Sequence, residues 1–182
     1  MSIIMLCRKM LTRSAFFSPL FICLALLAPP VSAPAHADED LGRFKEWQAH
    51  TYQEDGGTVC NMWSRPISHE EEGRPRGDIY AFVTHRPNDD GRRDEVSLEM
   101  GYPVDPKKPV TVKIGSKSWS FFVLDSSAFA HSSDDADIVK SMRAGSRMVV
   151  EGVSARGTKT KDTYSLSGFT KAHGAINKGC GF

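Results

Sequence analysis

The sequence lacks a charge excess of either sign. It carries 23 basic and 22 acidic residues, which gives a formal net charge of +1 at pH 7. Nucleic-acid-binding domains usually show a clear basic excess or a basic stripe, whereas the basic cluster RGTKTK at 156–161 has acidic residues close by. We therefore expect no nucleic-acid partner.

The sequence also lacks an apolar run as long as a membrane span. The apolar stretch from about Ala15 to Ala28 is shorter than the roughly 20 residues that a spanning helix needs, and it contains Pro19. Basic residues precede it and Ala35-His36-Ala37 follows it, an order that is typical of a cleavable export signal. We expect cleavage after Ala37, with Ala33 as the alternative, and no transmembrane segment afterwards.

Cleavage after Ala37 would divide the chain into a signal peptide, residues 1–37, and a mature part, residues 38–182. Three of the basic residues lie in the signal segment, so the mature part holds 20 basic and 22 acidic residues, a net charge of −2. Its length predicts a single domain, and such a domain can bury its own core without a metal.

Cysteine is scarce as well, and the few cysteines present restrict the pairing. Of the four, Cys7 and Cys23 lie in the signal segment, which leaves Cys60 and Cys180. Two cysteines in an oxidising compartment allow one pairing, so we predict a Cys60–Cys180 disulfide. A redox-active or metal-binding thiol is the alternative, but there is no Cys-x-x-Cys and no placed histidine partner.

Alternation of apolar and polar residues predicts a mainly β domain. In EVSLEM the apolar side chains of Val96, Leu98 and Met100 share one face, and VTVKIG repeats the pattern. A period of two indicates half-buried strands, and turn-forming residues separate them. The predicted fold is an antiparallel β-sandwich or flattened barrel. The predicted strands lie at about 44–52, 58–65, 78–86, 95–100, 110–115, 118–124, 147–154 and 160–168.

Two short helices are predicted to interrupt the strands. The segment SSDDADIVKSMRAG, between late strands, opens on capping-type Ser and Asp residues and spaces Ile138 and Met142 one turn apart. The segment SGFTKAHGAINKGC, at the C-terminus, is a weaker helix because Gly174 sits in its middle.

No catalytic motif is present. The sequence has no Gly-x-Ser-x-Gly elbow, no Ser-x-x-Lys set and no phosphate-binding Gly-x-x-x-x-Gly-Lys loop. The acidic run SDDAD lacks the Gly turn and distal Glu of a calcium loop, and a helix N-terminal cap explains it more simply. We predict a chain that is not an enzyme and needs no cofactor.

The histidines show no metal-binding spacing either. His85 precedes the turn residues 88–91, and residues 92–95 alternate in charge, so this segment is predicted as a hairpin with a solvated tip. A metal site at His85 would need a second ligand from a distant part of the chain. The other histidines in the mature part are scattered singly, at His50, His69, His131 and His173.

Several phrases of the sequence resemble one known family. They are FKEWQAHTY, GGTVC, GDIYAFVTHRP, EVSLEMGYP and SMRAGSRMVVEGVSARGTKTKDTYSLSGFTKA, followed by Cys180. In this order, and over about residues 44–180, they resemble the invasion-associated locus B family of alphaproteobacterial exported proteins. The resemblance implies an exported, largely β domain with no catalytic residues to transfer. His173-Gly174 departs from the usual pattern in the last helix.

The tripeptide Arg76-Gly77-Asp78 matches the signature by which extracellular ligands hold integrins. That use requires an exposed loop tip, whereas Asp78 leads directly into the apolar run 79–83, which is predicted as a strand. We interpret the tripeptide as a turn from loop to strand, with surface contact through Arg76 and Asp78 as the alternative. The tryptophans Trp47, Trp63 and Trp119 are predicted core residues of strands. If one of them instead contacts a partner, Trp63 is the best candidate because its neighbours are polar.

These observations predict a periplasmic, non-enzymatic domain of a Gram-negative bacterium that binds or supports an envelope component, either protein or polysaccharide. The first alternative is a surface-exposed or secreted factor that contacts host cells, as the family name suggests. The second is a hydrolase with an unrecognised site, which would need a cleft holding a histidine, an acid and a serine.

Overall fold

The structure is a computed structural model that describes residues 38–71 and 75–182. The predicted signal segment, its cleavage site after Ala37 and the cysteines Cys7 and Cys23 lie outside the described residues. Within the described residues, no helix is both long and apolar enough to cross a membrane.

The described chain is mainly β with two helices, as the sequence predicts. The helices are α1 (Asp135–Ala144), between late strands, and α2 (Phe169–Cys180), at the end. The strands are β1 (Glu39–Phe44), β2 (Trp47–Glu54), β3 (Gly57–Ser64), β4 (Ser68–Glu71), β5 (Tyr80–Arg86), β6 (Arg92–Glu99), β7 (Val110–Ile114), β8 (Lys117–Leu124), β9 (Ser127–Phe129), β10 (Arg147–Val153) and β11 (Lys159–Ser165).

All these strands belong to one antiparallel sheet in the order β1-β2-β3-β5-β6-β9-β8-β7-β10-β11-β4. The sheet is open, because β1 and β4 stand at its two ends and do not pair with each other. Strand β8 belongs to both halves of the sheet: residues 117–121 pair with β7, whereas residues 122–124 pair with β9. We call β1, β2, β3, β5, β6 and β9 the first half, and β7, β10, β11 and β4 the second half.

One hydrophobic core lies between the two halves. Alternate side chains of β6 in the first half, such as Val96 and Leu98, are buried in the same cluster as Val112 of β7 and Val150 of β10. The predicted period of two in these strands is therefore confirmed. Each such aliphatic side chain contributes about 1.5–3 kcal/mol to folding when it is fully buried.

Helix α2 packs on the first half and remains helical through Gly174. Its buried side chains include Phe169 and Ile176, and the ring of Phe169 meets Trp47 edge to face with 5.0 Å between centroids. Gly174 is exposed, and a Cβ atom at this position would have no neighbour within 4 Å. The cost of this glycine, about 1 kcal/mol, is offset by the packing, so the helix expected to be weak is regular.

The turn before α2 depends on glycine. Gly168 precedes the helix with a φ of +96°, and a Cβ atom there would lie 1.8 Å from the carbonyl oxygen of Phe44. A side chain therefore cannot be accommodated at this position without moving the backbone of β1.

Helix α1 has no side-chain N-cap, but Asp135 in its first turn binds the sheet. Its N-cap residue, Asp134, makes no side-chain cap hydrogen bond, which corrects the capping role expected for the acidic run. The Oδ1 atom of Asp135 instead accepts a hydrogen bond from the Val96 N–H of β6 at 3.0 Å. Burial, together with nearby acidic residues, raises the pKa of Asp135 to about 6 against the opposing effect of that hydrogen bond.

The structure contains the Cys60–Cys180 disulfide that the sequence analysis predicts. It joins the buried face of β3 to the last turn of α2, with 6.0 Å between the Cα atoms and 120 residues between the cysteines in sequence. A cross-link of this span removes much of the conformational freedom of the unfolded chain.

Replacing both cysteines, as Cys60→Ser/Cys180→Ser, should therefore lower the free energy of unfolding. Chain entropy gives about 4–5 kcal/mol for a loop of this length, and the midpoint of guanidinium unfolding should fall accordingly. The control is the unaltered protein with reductant, which should unfold at the midpoint of the double variant. An unchanged midpoint in both samples would show that the bond does not stabilise the fold.

Candidate binding site

The outer face of the first half, opposite the core, carries aromatic side chains on three adjacent strands. Trp63 of β3 stands opposite Phe82 of β5 in the strand register, and Asn61 stands between His50 of β2 and Thr84 of β5. These positions alternate with the inward residues of the same strands. Outward positions of an antiparallel sheet that faces water are usually polar, so an aromatic cluster here calls for an explanation.

The aromatic rings contact one another and are partly exposed. We call His50, Tyr52, Trp63, Tyr80 and Phe82 the aromatic face. Trp63 meets Tyr80 edge to face at 5.3 Å between centroids, Tyr80 lies 5.6 Å from Phe82, and His50 stacks on Tyr52 at 5.6 Å. These contacts hold the rings in defined orientations and give the surface a fixed shape.

A cleft of about 550 Å³ opens at the aromatic face and has an amide at its floor. The amide belongs to Asn61, which is only 7% exposed and lines the cleft. Its Nδ2 atom donates a hydrogen bond to the Thr84 hydroxyl at 2.7 Å, while its Oδ1 atom has no hydrogen-bond partner within residues 38–71 and 75–182. Leaving a buried polar atom unpaired costs about 1–3 kcal/mol, so this atom is a candidate for ligand contact.

The aromatic surface continues across the sheet beyond β5. Phe82 pairs in register with Ser97 of β6, and Ser97 pairs with Phe129 of β9. Phe129 stacks on Phe122 of β8 at 5.5 Å, and Phe122 is 48% exposed. A second cleft of about 870 Å³ lies beside these rings, and Thr84 is part of its lining.

Arg76 of the tripeptide points into the protein, which corrects its expected surface role. Its side chain is 5% exposed and makes two hydrogen bonds, at 2.7 and 2.8 Å, with the fully buried carboxylate of Asp162. It also donates to the carbonyl oxygen of Met100 at 2.8 Å and lies over the ring of Tyr102 at 4.9 Å. The guanidinium is therefore bound inside the fold and is not presented to a receptor.

The other two residues of the tripeptide form the expected approach to β5. The Gly77 N–H donates to the Gly101 carbonyl at 2.9 Å, and Gly101 has a φ of +71° with no room for a Cβ, which would lie 2.8 Å from the Gly77 oxygen. The Asp78 side chain is 70% exposed and pairs with Arg65 at 3.1 Å. Arg65 lies over the ring of Tyr80 at 4.5 Å, so Asp78 stands at the edge of the aromatic face.

Of the three residues predicted for surface contact, the structure thus brings two together. Trp63 and Asp78 lie on one surface, linked through Tyr80 and Arg65. A binding role for Trp63 and Asp78 stays a prediction.

Substitutions in the tripeptide should separate its buried part from its exposed part. Arg76→Ala leaves the carboxylate of Asp162 buried without its partner and should lower the free energy of unfolding by about 3–5 kcal/mol. Asp78→Ala removes only an exposed ion pair and should change it by about 0–1 kcal/mol. Urea unfolding of the two variants measures the difference, and equal losses would contradict the structural role of Arg76.

A second cluster joins residues that look unrelated in the sequence. His85 of β5, Asp94 of β6, and His173 and Asn177 of α2 lie within hydrogen-bond distance in a buried ring. Distant residues therefore do lie beside His85, although no spacing in the sequence indicates them. The expectation that Asp94 lies at a solvated hairpin tip is wrong. The hairpin itself, with its turn at residues 87–91, is present.

The hydrogen bonds of this ring form a closed and consistent set. The Asp94 backbone N–H donates to His85 Nδ1 at 3.0 Å, so the proton of His85 is on Nε2, which donates to Asn177 Oδ1 at 2.8 Å. The Asn177 amide then donates to His173 Nδ1 at 3.2 Å, and His173 Nε2 donates to Asp94 Oδ1 at 2.7 Å. Both imidazoles are neutral in this arrangement.

The pKa shift of His85 agrees with a neutral imidazole beside an ionised carboxylate. Burial lowers the pKa of His85, and the charge of Asp94 opposes this only in part. Burial alone would raise the pKa of Asp94, but the hydrogen bond from His173 and the positive charge of Arg93 favour the ionised carboxylate, and the pKa of Asp94 lies below its ordinary value.

Two histidines and a carboxylate within 4.8 Å of one another are suitable ligand types for a transition metal. A metal bound to His85 Nδ1 and His173 Nε2 would place a proton on the opposite nitrogen of each ring. Both of these N–H groups would then face the one amide of Asn177, whose oxygen lies beside one ring and whose NH2 group lies beside the other, so one N–H group would meet another donor. The Asp94 N–H also occupies His85 Nδ1. The cluster therefore fits a structural hydrogen-bond ring and does not fit a metal centre.

Zinc should accordingly leave the thermal stability of the protein unchanged, because binding would break at least two hydrogen bonds of the ring. Thermal unfolding with equimolar Zn²⁺, with EDTA and with neither measures this, and His173→Ala is the matched control. A midpoint that rises with Zn²⁺ in the unaltered protein but not in His173→Ala would establish a metal site.

The fold and the site together define a disulfide-linked, mainly β domain with one open sheet and a partly exposed aromatic surface. The family model described as "Invasion associated locus B (IalB) protein" matches residues 47–177, and the chain belongs to this family. The resemblance seen in the sequence is thus confirmed.

Among solved structures, the chain is similar to the crystal structure of invasion associated protein b from Bartonella henselae. The TM-score is 0.52 and the sequence identity 19%, over 75% of this chain and 94% of that chain. At this identity the likeness concerns the fold alone. No curated protein matches the chain.

Proposed function

We propose that the chain is an exported, non-enzymatic domain of the Gram-negative periplasm that binds an envelope component through its aromatic face. The observation that carries this proposal is the contiguous set of partly exposed rings around Trp63, which opens onto a cleft on the outside of the sheet. Aromatic residues contribute large contact areas at binding sites, whereas outward positions on a sheet face in water are usually polar.

Export is supported by family membership and by the disulfide. Proteins of this family are exported, and a bond between Cys60 and Cys180 is compatible with an oxidising compartment outside the cytoplasm. The predicted signal segment agrees with the same location.

A binding role fits the site better than hydrolysis does. The titratable cluster of His85, Asp94 and His173 has its ring nitrogens engaged with one another, with Asn177 and with backbone, and among the described hydrogen bonds no serine hydroxyl joins it. A hydrolase of the type considered would need a nucleophile within reach of the base.

Host-cell contact through the tripeptide receives no support from the geometry. Integrin-type recognition would use the arginine and the aspartate together, whereas Arg76 is bound to Asp162 inside the fold. The exposed Asp78 alone, paired with Arg65, is better explained as part of the edge of the aromatic face.

Co-sedimentation tests the proposed function. The chain, exported by a Gram-negative host and purified in its oxidised form, is mixed with peptidoglycan sacculi or with outer-membrane fragments. We expect it to sediment with one of the two fractions and Trp63→Ala to bind at least tenfold more weakly, because the central ring of the aromatic face is lost.

The matched control is Trp119→Ala, which removes a partly buried tryptophan of β8 outside the aromatic face and should leave sedimentation unchanged. The proposal fails if neither fraction carries the protein down, or if Trp63→Ala sediments as well as the unaltered chain.

A further inference from the structure

We infer that the cleft at the aromatic face binds a neutral saccharide, which stacks on the rings and is hydrogen-bonded by Asn61 at the floor. This inference rests on the proposed function and specifies the chemistry of the component that is bound. The alternatives for the same surface are an extended peptide and a lipid chain.

The ring geometry suits sugar rings. A pyranose offers a flat C–H face that packs on the π-face of an aromatic ring, as other polarised groups do. The interplanar angle is 86° between Trp63 and Tyr80 and 41° between Tyr80 and Phe82. The rings therefore form an uneven cradle, which matches separate sugar units of a soluble chain better than a flat polysaccharide surface.

Asn61 supplies the polar contact that fixes a saccharide in place. Its Oδ1 atom has no partner in the part of the chain that the structure describes, while its Nδ2 atom is bound to the Thr84 hydroxyl. Because a hydroxyl both donates and accepts, the Asn61 amide can also rotate so that its oxygen and nitrogen exchange places, and it then still has a hydrogen bond with Thr84. Either orientation leaves one amide atom without a protein partner, and a sugar hydroxyl can satisfy either one.

The charge of the cleft favours a neutral ligand. Its lining includes the amide of Gln53, the hydroxyl-bearing Tyr52 and the carboxylate of Asp38, but no lysine or arginine among the described residues. The guanidinium of Arg65, which lies over the Tyr80 ring, is already paired with Asp78. An anionic ligand would meet Asp38 without a counter-charge.

The sheet topology argues against a peptide that adds a strand here. Strand β3 pairs with β2 on one side and with β5 on the other, so its backbone groups are already used. Strand addition requires an exposed sheet edge, whereas the aromatic face lies on the flat side of the sheet. A lipid chain would leave the unpaired amide atom of Asn61 without a partner, because a hydrocarbon offers no hydrogen bond.

The space is sufficient for a short oligosaccharide. A volume of about 550 Å³ lies within the range of about 300–1,000 Å³ that small-molecule sites occupy. Thr84, which holds the Asn61 amide, also lines the second cleft beside Phe122 and Phe129. A longer chain can therefore continue from the first cleft along the aromatic surface.

Binding to an array of neutral oligosaccharides tests this inference. One arm carries N-acetylhexosamine and glucose oligomers of the bacterial-envelope type, and the other carries galactose-terminated glycans of the host-cell type. We expect binding in the envelope arm, a shift of tryptophan emission on titration with the best oligosaccharide, and at least tenfold weaker binding for Trp63→Ala and for Asn61→Leu. Binding in the host-cell arm alone would contradict the proposed envelope component. Trp119→Ala should bind as the unaltered chain does.

Saturation-transfer NMR on the unaltered protein tests saccharide binding without any variant, so the test remains possible if a variant does not fold. Saturation of aromatic protons should pass to the C–H protons of the bound sugar. The inference is overturned if no neutral oligosaccharide binds in either arm, or if Asn61→Leu folds and binds as tightly as the unaltered chain.

Competition with soluble neutral oligosaccharides separates this inference from the proposed function, because a free saccharide that occupies the cleft displaces the protein from the envelope fraction. If Trp63-dependent sedimentation is unchanged at an excess of every oligosaccharide of the array, the component is not recognised as a saccharide, and the proposed binding function stands without this inference. If an oligosaccharide abolishes sedimentation, both are supported.

Discussion

The disulfide between Cys60 and Cys180 is the constraint on which the candidate site depends. It fixes α2 against the inner face of β3, and the adjacent residues of that strand, Asn61 and Trp63, project from the opposite face. A strand held from within keeps its outer side chains in register with those of its neighbours. The aromatic face can therefore have a fixed shape although it lies on the solvent side of a sheet.

The buried ion pair of Arg76 and Asp162 links the two halves of the sheet, as the disulfide links α2 to β3. Arg76 lies in the segment that leads into β5 of the first half, and Asp162 lies on β11 of the second half. The guanidinium also binds the carbonyl oxygen of Met100, so one side chain joins three segments. In this chain, the tripeptide that resembles an adhesion signal connects parts of the fold through Arg76. Only its aspartate, Asp78, has an exposed side chain.

The sequence predicts those features of the fold that repeat locally. Period two identifies β6 and β7, and the spacing of Ile138 and Met142 identifies α1, because burial of one face imposes these patterns. Strands β1, β4 and β9 escape prediction because EDLGRF, SHEE and SAF are short and carry no alternating apolar residues. The polar neighbours of Trp63 identify it as a candidate for surface contact. Its contact with Tyr80 and its position opposite Phe82 follow from the pairing register of the strands, which the local sequence does not reveal. The hydrogen-bonded cluster of His85, Asp94 and His173 cannot be predicted for the same reason, because its members are up to 88 residues apart in the sequence.

The separation of the two cysteines also orders events during folding. Because 120 residues lie between them, the bond cannot close until nearly the whole domain is available to fold. Until then α2 has no covalent link to β3, and the strand that carries Trp63 is supported by its neighbours alone. Oxidation of this one bond is therefore a late step, and it completes the domain.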